Sequence, residues 1–281
     1  MTMFSIVIPA YNAGQVIGRA LESVRSQSSR DYEVLVTNDG STDETEQAVS
    51  LYMERYPQFP LSISGQPNRG IGAARNNGVL RAIGDYVAFL DADDVWYSEK
   101  LARIALYLAE HPEADLVCHD EYWMETGKAP KPVAYGPHAR FADLLFKGNT
   151  ISTSATVVRR SKLLQAGLFS EDLAFNGVED YELWLRISRI AAIAYLHESL
   201  GEYHIHGSGI TGRARLHTRN SINVLEHAFE QWQPQTLRYK YLLRVRILRL
   251  VAAASLQSLR KGKPDEAFRM MAEGSMRAFS T

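Results

Sequence analysis

Gly84-Asp85-Tyr86-Val87-Ala88-Phe89-Leu90-Asp91-Ala92-Asp93-Asp94-Val95-Trp96 begins as a strand and ends as a cluster of acids. The run from Tyr86 to Leu90 is continuously apolar, as in a strand buried on both faces. Three carboxylates then arrive within four positions. Like charges that close need either solvent or a cation among them. In extended backbone residues two apart share a side, so Asp91 and Asp93 can converge on one point. Two hard oxygen donors at a strand end suit Mg²⁺ or Mn²⁺, which take few protein ligands and complete their shell with water and phosphate oxygens. The same acids also suit the cap of a helix, which Leu101, Ile104 and Leu108 predict just downstream. The D-x-D spacing by itself leaves both readings open.

Working outward, strand and helix signals alternate. Phe4 to Ile8 is a short β-branched strand ended by Pro9. Val16, Ile17, Ala20, Leu21 and Val24 recur at helical spacing. Tyr32 to Val36 predicts a second strand, closed by Asn38-Asp39-Gly40. Ser41 and Glu44 read as a capping box for a helix reaching about Tyr56. Leu61 to Ile63 predicts a third strand, followed by a helix through Ala74, Val79 and Leu80. This alternation predicts an α/β fold: a mostly parallel sheet flanked by helices, with ligands beyond the carboxyl ends of its strands. Tyr11-Asn12, Asn38-Asp39 and Asp91 to Asp94 all fall at that edge. Further on come a strand at Asp115 to His119, a Pro-rich loop from Ala129 to Pro137, a strand at Thr153 to Val158 and a helix from Glu179 to about Ile190. Long helical segments follow, split near Pro234 and near Gly262-Lys263-Pro264. The organisation expected is a domain over 1–215, with a nucleotide-binding half to about 115 and an acceptor-side half over 116–215, and a C-terminal helical extension over 216–281.

Bulk properties narrow the classes. A chain of 281 residues that is 46% hydrophobic has ample material for a core. Its formal net charge of −1 argues against a polyanion-binding surface over the whole protein, so no nucleic-acid partner is expected. Cys118 is the only cysteine, which fits a reducing, cytoplasmic compartment. No run approaches the roughly 20 apolar residues of a membrane span.

Asn68-Arg69-Gly70-Ile71-Gly72-Ala73-Ala74-Arg75-Asn76 contains Gly70-x-Gly72 but fails as a dinucleotide fingerprint. Arg75 stands at the third glycine position, and the segment follows the third strand rather than the first. A nicotinamide-dependent dehydrogenase falls with it. The glycines instead allow close approach of the backbone to a ligand, and Arg69 and Arg75 offer planar donor forks for phosphate or base edges.

Five segments occur in one order: Ser5 to Asn12, Val36 to Asp43, Asn68 to Asn76, Phe89 to Asp94 and Glu179-Asp180-Tyr181-Glu182-Leu183-Trp184. Together they resemble the family 2 glycosyltransferases of the GT-A fold, over about the first three quarters of the chain. The resemblance implies inverting transfer of a sugar from a nucleotide-diphosphate donor, most simply a UDP-sugar, with a divalent cation (Mn²⁺ or Mg²⁺). It places Pro9, Tyr11 and Asn12 against the base, Asp39 on the base edge, and Arg69, Gly70 and Arg75 near base or phosphate. Asp91 and Ala92 then lie near the ribose, and Asp93, assisted by Asp91 and Asp94, holds the cation bridging the diphosphate. Asp180 becomes the general base, with Glu179 beside it. Both acids also suit the first turn of a helix by dipole alone. His204 stands where an arginine is common in the family, Asn38 where an aspartate is usual, and His206 is a candidate metal or phosphate contact.

Two rival readings are a sugar nucleotidyltransferase and a nucleotide-sugar-binding relative without catalysis. The first wants a glycine-rich basic loop after the first strand, which Ile8 to Ala13 does not offer. Asp91, Asp93 and Asp180 speak against the second. The family's processive synthases carry membrane spans and a Gln-x-x-Arg-Trp motif; neither is found, so a single sugar would pass to a glycan or lipid-linked acceptor in building a surface glycan or lipopolysaccharide. In the C-terminal region Arg238, Arg246 and Arg249 fall on one side of a helix and Lys240 and Arg244 opposite. That leaves three readings open: snorkelling arginines on a packed helix, a homodimer contact, or peripheral contact with the inner face of an anionic membrane.

Overall fold

The computed structural model describes residues 3–136, 140–205, 214–233 and 236–280. Phe4–Ala10 (β1), Tyr32–Asn38 (β2), Leu61–Gly65 (β3) and Tyr86–Phe89 (β4) pair in parallel in the spatial order β3-β2-β1-β4. Ile17–Arg25 (α1), Thr45–Arg55 (α2) and Ile71–Arg81 (α3) form the crossovers. Every residue of β1 and β4 is buried, as their continuous apolar runs require. β1 has β2 on one side and β4 on the other, so the strand order reverses at β1. Such a switch point leaves a crevice beyond the carboxyl ends of the strands.

Val95–Trp96 (β5), Leu116–Glu125 (β6), Lys131–Val133 (β7), Thr156–Arg159 (β8) and Ile193–Ile205 (β9) extend the sheet to β3-β2-β1-β4-β8-β6-β9-β5, with β7 on β6. β3, β2, β1, β4, β6 and β9 run one way and β8, β5 and β7 the other, giving a mixed but mostly parallel sheet. Lys100–Glu110 (α4), Phe141–Lys147 (α5), Arg160–Ala166 (α6) and Glu179–Ile187 (α7) flank it. Ala214–Trp232 (α8), Leu237–Arg260 (α9) and Pro264–Ser280 (α10) follow, the last starting on Pro264, whose fixed φ suits a first helical turn. One apolar cluster joins Ile6, Ile8, Leu21, Leu101 and Ile104 on one face. Another runs from Phe89, Phe169 and Trp184 through Ile222 and Leu225 to Leu243 and Ile247, so the C-terminal helices share a core with α7. No helix among the described residues is long and apolar enough to cross a membrane.

Two local expectations change. Ser41 and Glu44 form no capping box, because the Ser41 hydroxyl is drawn to the loop after β1, where it accepts from the Asn12 N–H at 3.0 Å. Helix α2 starts at Thr45 instead, whose N–H donates to Asp43 Oδ1 at 3.0 Å. The Pro-rich loop contains β7, an edge strand in which Pro132 faces Tyr122, a place where a missing N–H is tolerated. Arg246 also turns inward: burial lowers its pKa, the Tyr181 hydroxyl pulls the other way, and its guanidinium lies against Gly148.

Helix α3 lies directly on β1. A Cβ at Gly78 would meet Val7 Cγ1 at 2.5 Å. Gly78→Ala is therefore expected to cost about 1–3 kcal/mol by overpacking, read as a lower denaturant midpoint with an unchanged slope. An unchanged midpoint contradicts this packing.

Candidate active site

Arg75 projects from α3 into the floor of the crevice and is almost fully buried. Its Nη2 donates to Asp91 Oδ1 at 2.7 Å and its Nη1 to Glu179 Oε1 at 2.8 Å. One guanidinium thus ties the acid turn after β4 to the start of α7. Burial alone would depress the Arg75 pKa, but the fields of Asp91 and Glu179 outweigh it and hold the group charged. Its plane also lies over the Phe169 ring, 5.2 Å from the centroid. The sequence suggested that Arg75 offers its fork to a phosphate or base. Here both arms of the fork are taken by carboxylates.

The rest of Asn68 to Asn76 explains how Arg75 is aimed. A Cβ at Gly72 would sit 2.8 Å from the Ser170 carbonyl, so only glycine lets α3 pack this closely on that segment. Asn76 locks the contact from both sides: its Nδ2 donates to the Phe169 carbonyl and its Oδ1 accepts from the Phe169 N–H, each at 2.9 Å. Asp39, buried at the end of β2, holds the helix start. Its Oδ1 accepts from the Arg69 N–H at 2.9 Å and Gln66 Nε2 at 2.8 Å, and its Oδ2 from the Gly70 N–H at 2.8 Å. A carboxylate has about four acceptor positions, so little of Asp39 is left for a base. Gly70 supplies the positive φ, 91°, that this turn needs. The Arg69 side chain points outward and pairs with Glu171 at 2.5 Å. Pro9 is buried within β1, Tyr11 is half exposed at its end, and Asn12 takes a left-handed conformation in which its Oδ1 accepts from the Thr42 N–H at 2.9 Å. Of these three, Tyr11 presents an open aromatic face.

The acid turn is propped from behind. Asp94 is buried, its Oδ2 accepting from Ser154 Oγ at 2.5 Å and its Oδ1 from the His204 N–H at 2.9 Å. Burial, reinforced by Asp91, Glu121 and Asp93, pushes its pKa well above the usual carboxylate range. Asp94 therefore anchors the turn, which leaves Asp91 and Asp93, both partly exposed, at the crevice surface. Ala92 between them packs into the apolar cluster under β1. Ser154 also accepts from the Asp91 N–H at 3.1 Å through its hydroxyl, while its carbonyl accepts from Trp96 Nε1 at 2.8 Å and Lys100 Nζ at 2.6 Å. Buried Lys100 stands 3.6 Å from the Trp96 ring centroid. Burial drives its pKa well down, against the pull of Glu121 and Asp94. Ser154, Lys100 and Glu121 escaped the sequence reading, since none lies in a recognisable motif; three small polar residues at 152–154 just ahead of β8 were the available signal.

Asp180 opens the first turn of α7. Its Oδ2 accepts from Thr153 Oγ1 at 3.2 Å and Asn149 Nδ2 at 3.4 Å, and its Oδ1 from the Tyr181 N–H at 2.7 Å. Loss of hydration raises its pKa, Arg75 opposes this, and Asp91 adds repulsion. Asp180 thus faces the same guanidinium and acid that hold the D-x-D turn, yet stays partly exposed. Glu179 differs: it is buried, with Oε1 on Arg75 and Oε2 accepting from the Gly177 N–H at 2.7 Å. Among the described residues no three histidine, cysteine or acidic side chains converge as a metal cage. His204 Nε2 lies 3.1 Å from Glu202 Oε2, and His206 lies outside the described residues.

The mixed, mostly parallel sheet with its switch point at β1 defines an α/β architecture, and known proteins share that fold. TarS 1-349 from S. aureus, solved in complex with UDP-GlcNAc, superposes with a TM-score of 0.64 at 19% identity, over 96% of this chain and 90% of that one. The mannosyltransferase PcManGT from Pyrobaculum calidifontis, solved with GDP-Man and Mn²⁺, does so with a TM-score of 0.61 at 18% identity, over 99% and 86%. The fold is GT-A. In sequence, the amylovoran biosynthesis glycosyltransferase AmsB of Erwinia amylovora is 31% identical over 213 residues, 72% of this chain and 69% of that protein. The family description "Glycosyl transferase family 2" matches residues 5–167. The chain belongs to glycosyltransferase family 2.

Removing the Arg75 guanidinium leaves two carboxylates facing each other in a largely buried site. Arg75→Met is expected to cost about 3–5 kcal/mol of stability, the usual penalty for breaking a buried ion pair from one side. Denaturant unfolding checks it, and a loss under about 1 kcal/mol contradicts the bridging role.

Proposed function

We propose that this family 2 glycosyltransferase moves one sugar, with inversion, from a nucleotide-diphosphate donor to a hydroxyl of a glycan or lipid-linked acceptor. The observation that carries the reading is the Asp91–Arg75–Glu179 bridge, with Asp180 in the same field. Inversion requires a base and a leaving group on opposite sides of the anomeric carbon. The two acid groups supply the two sides of one crevice.

Tyr11 is placed to stack on the base, and the backbone around Arg69 and Gly70, fixed by Asp39, to line the nucleotide. A UDP donor is favoured by the likeness to TarS, whose solved complex holds UDP-GlcNAc. Asp93, with the free oxygen of Asp91, is the pair that would hold a divalent cation, and PcManGT was solved with Mn²⁺. Two acids with no third histidine, cysteine or acidic side chain converging on them among the described residues fit an ion that takes its other ligands from the diphosphate and water. When bound, that ion supplies neutralisation of charge on the departing diphosphate. Asp180 takes the proton of the attacking hydroxyl at Oδ2, the oxygen that Thr153 and Asn149 orient. Asp180 lies beyond the residues matched by the family description, so its role rests on this geometry. The relative AmsB works in amylovoran biosynthesis, which supports a place in building surface polysaccharide.

Asp180→Asn is expected to lower kcat by at least about a hundredfold while a UDP and Mn²⁺ thermal shift stays near that of the parent. A variant that kept most of its turnover would refute the base assignment. Asp93→Ala should instead abolish the Mn²⁺-dependent part of the UDP thermal shift; if that part persists, the cation sits elsewhere.

The base must be ionised to act, and its folded pKa is raised. Activity is therefore present above that pKa and lost as pH falls through it. The acid limb of the kcat profile should lie above the ordinary aspartate value of about 3.9. A limb at or below that value contradicts the desolvated setting of Asp180.

A further inference from the structure

We infer that the C-terminal helices carry a second binding site, one for an amphiphile that bears a phosphate. Two adjoining cavities lie along α8, α9 and α10. The first, of about 430 Å³, is lined by Arg215, Arg219, Lys261, Lys263 and Glu266. The second, of about 300 Å³, is walled mainly by Ile222, Val251, Met270 and Met276, with Glu273 and Arg277 at its edge, and shares Arg215 and Arg219 with the first. A cationic mouth therefore adjoins a mostly apolar slot across Arg215 and Arg219.

Charge bookkeeping favours an anion at the mouth. Lys263 pairs with Glu266 at 3.6 Å and Arg215 with Glu273. Among the described residues Arg219 and Lys261 have no ion-pair partner, so two cations face the cavity without a matching acid. A guanidinium fork beside an ammonium suits phosphate oxygens. A free phosphate would have no use for the apolar slot, whereas an aliphatic chain would. The surroundings agree, since Leu256 and Leu259 of α9 and Phe268 and Met271 of α10 stand exposed on either side of the turn that bears Lys261 and Lys263. Apolar side chains beside basic ones suit the boundary of an anionic bilayer.

The site backs onto the acid crevice. The opposite flank of α8 touches the loop before α7, with Asn220 Nδ2 donating to the Asn176 carbonyl at 2.8 Å and His217 within the field of Glu179. One helix thus separates the cationic mouth from the start of α7. Binding in these cavities needs no turnover.

Calorimetric titration of the full chain with dihexanoyl phosphatidic acid, inorganic phosphate and dihexanoyl phosphatidylcholine tests it. Phosphatidic acid should bind, and inorganic phosphate and phosphatidylcholine should each bind weaker by about tenfold or more. Combined Arg219→Ala and Lys261→Ala should weaken phosphatidic acid by about tenfold or more. Both side chains are exposed, so the fold and the UDP and Mn²⁺ thermal shift should be unaffected. No binding of phosphatidic acid, equal binding by the double variant, or equal binding of either comparison ligand overturns the proposal.

Discussion

A single buried guanidinium organises this molecule. Arg75 is buried away from bulk solvent, and its two counter-charges come from distant parts of the chain: Asp91 just after β4 and Glu179 at the start of α7. An isolated buried charge is very costly, so the native arrangement requires both acids to close on it. Folding the charge into the core therefore also assembles the crevice. The packing of Phe169 against Phe89, Trp184 and Arg75 fixes the third dimension of the same joint.

Around that joint the acids divide into two kinds. Asp39, Asp94 and Glu179 are buried and spend their oxygens on backbone N–H groups and side chains of the protein. Asp91, Asp93 and Asp180 stay partly exposed. Sequence motifs alone do not separate the two kinds, because adjacent acids such as Asp93 and Asp94, or Glu179 and Asp180, differ only in the direction the backbone gives them. Desolvation raises Asp94, Glu179 and Asp180 alike. Partial exposure is what sets Asp180 apart from Asp94 and Glu179.

The parallel half of the sheet was legible because its strands are buried on both faces and its crossovers are amphipathic; the runs at Phe4 to Ile8 and Tyr86 to Leu90 leave no other choice. The crevice edge was legible too, since Tyr11, Asp39 and Asp91 each follow a strand. What stayed hidden depends on long-range contact. β9 is half exposed over most of its length, so no alternation marks it, and its pairing with β6 carries register shifts near Asp120. The fork of Arg75 read as a phosphate donor because its two carboxylate partners lie 16 and 104 residues away. Ser41 left its expected cap for the same kind of reason. The pull of the Asn12 loop, 29 residues back, outweighed a local motif.

The most direct measurement is a double-mutant cycle on stability with Asp91→Asn and Glu179→Gln, singly and together. Each single variant leaves Arg75 one hydrogen-bonded carboxylate; the double variant leaves the buried guanidinium with only the more distant field of Asp180. The destabilisation of the double variant should exceed the sum of the singles by about 1 kcal/mol or more. Additivity within about 0.3 kcal/mol would mean that the two acids do not share one charge, and the bridge across the crevice would not exist in solution.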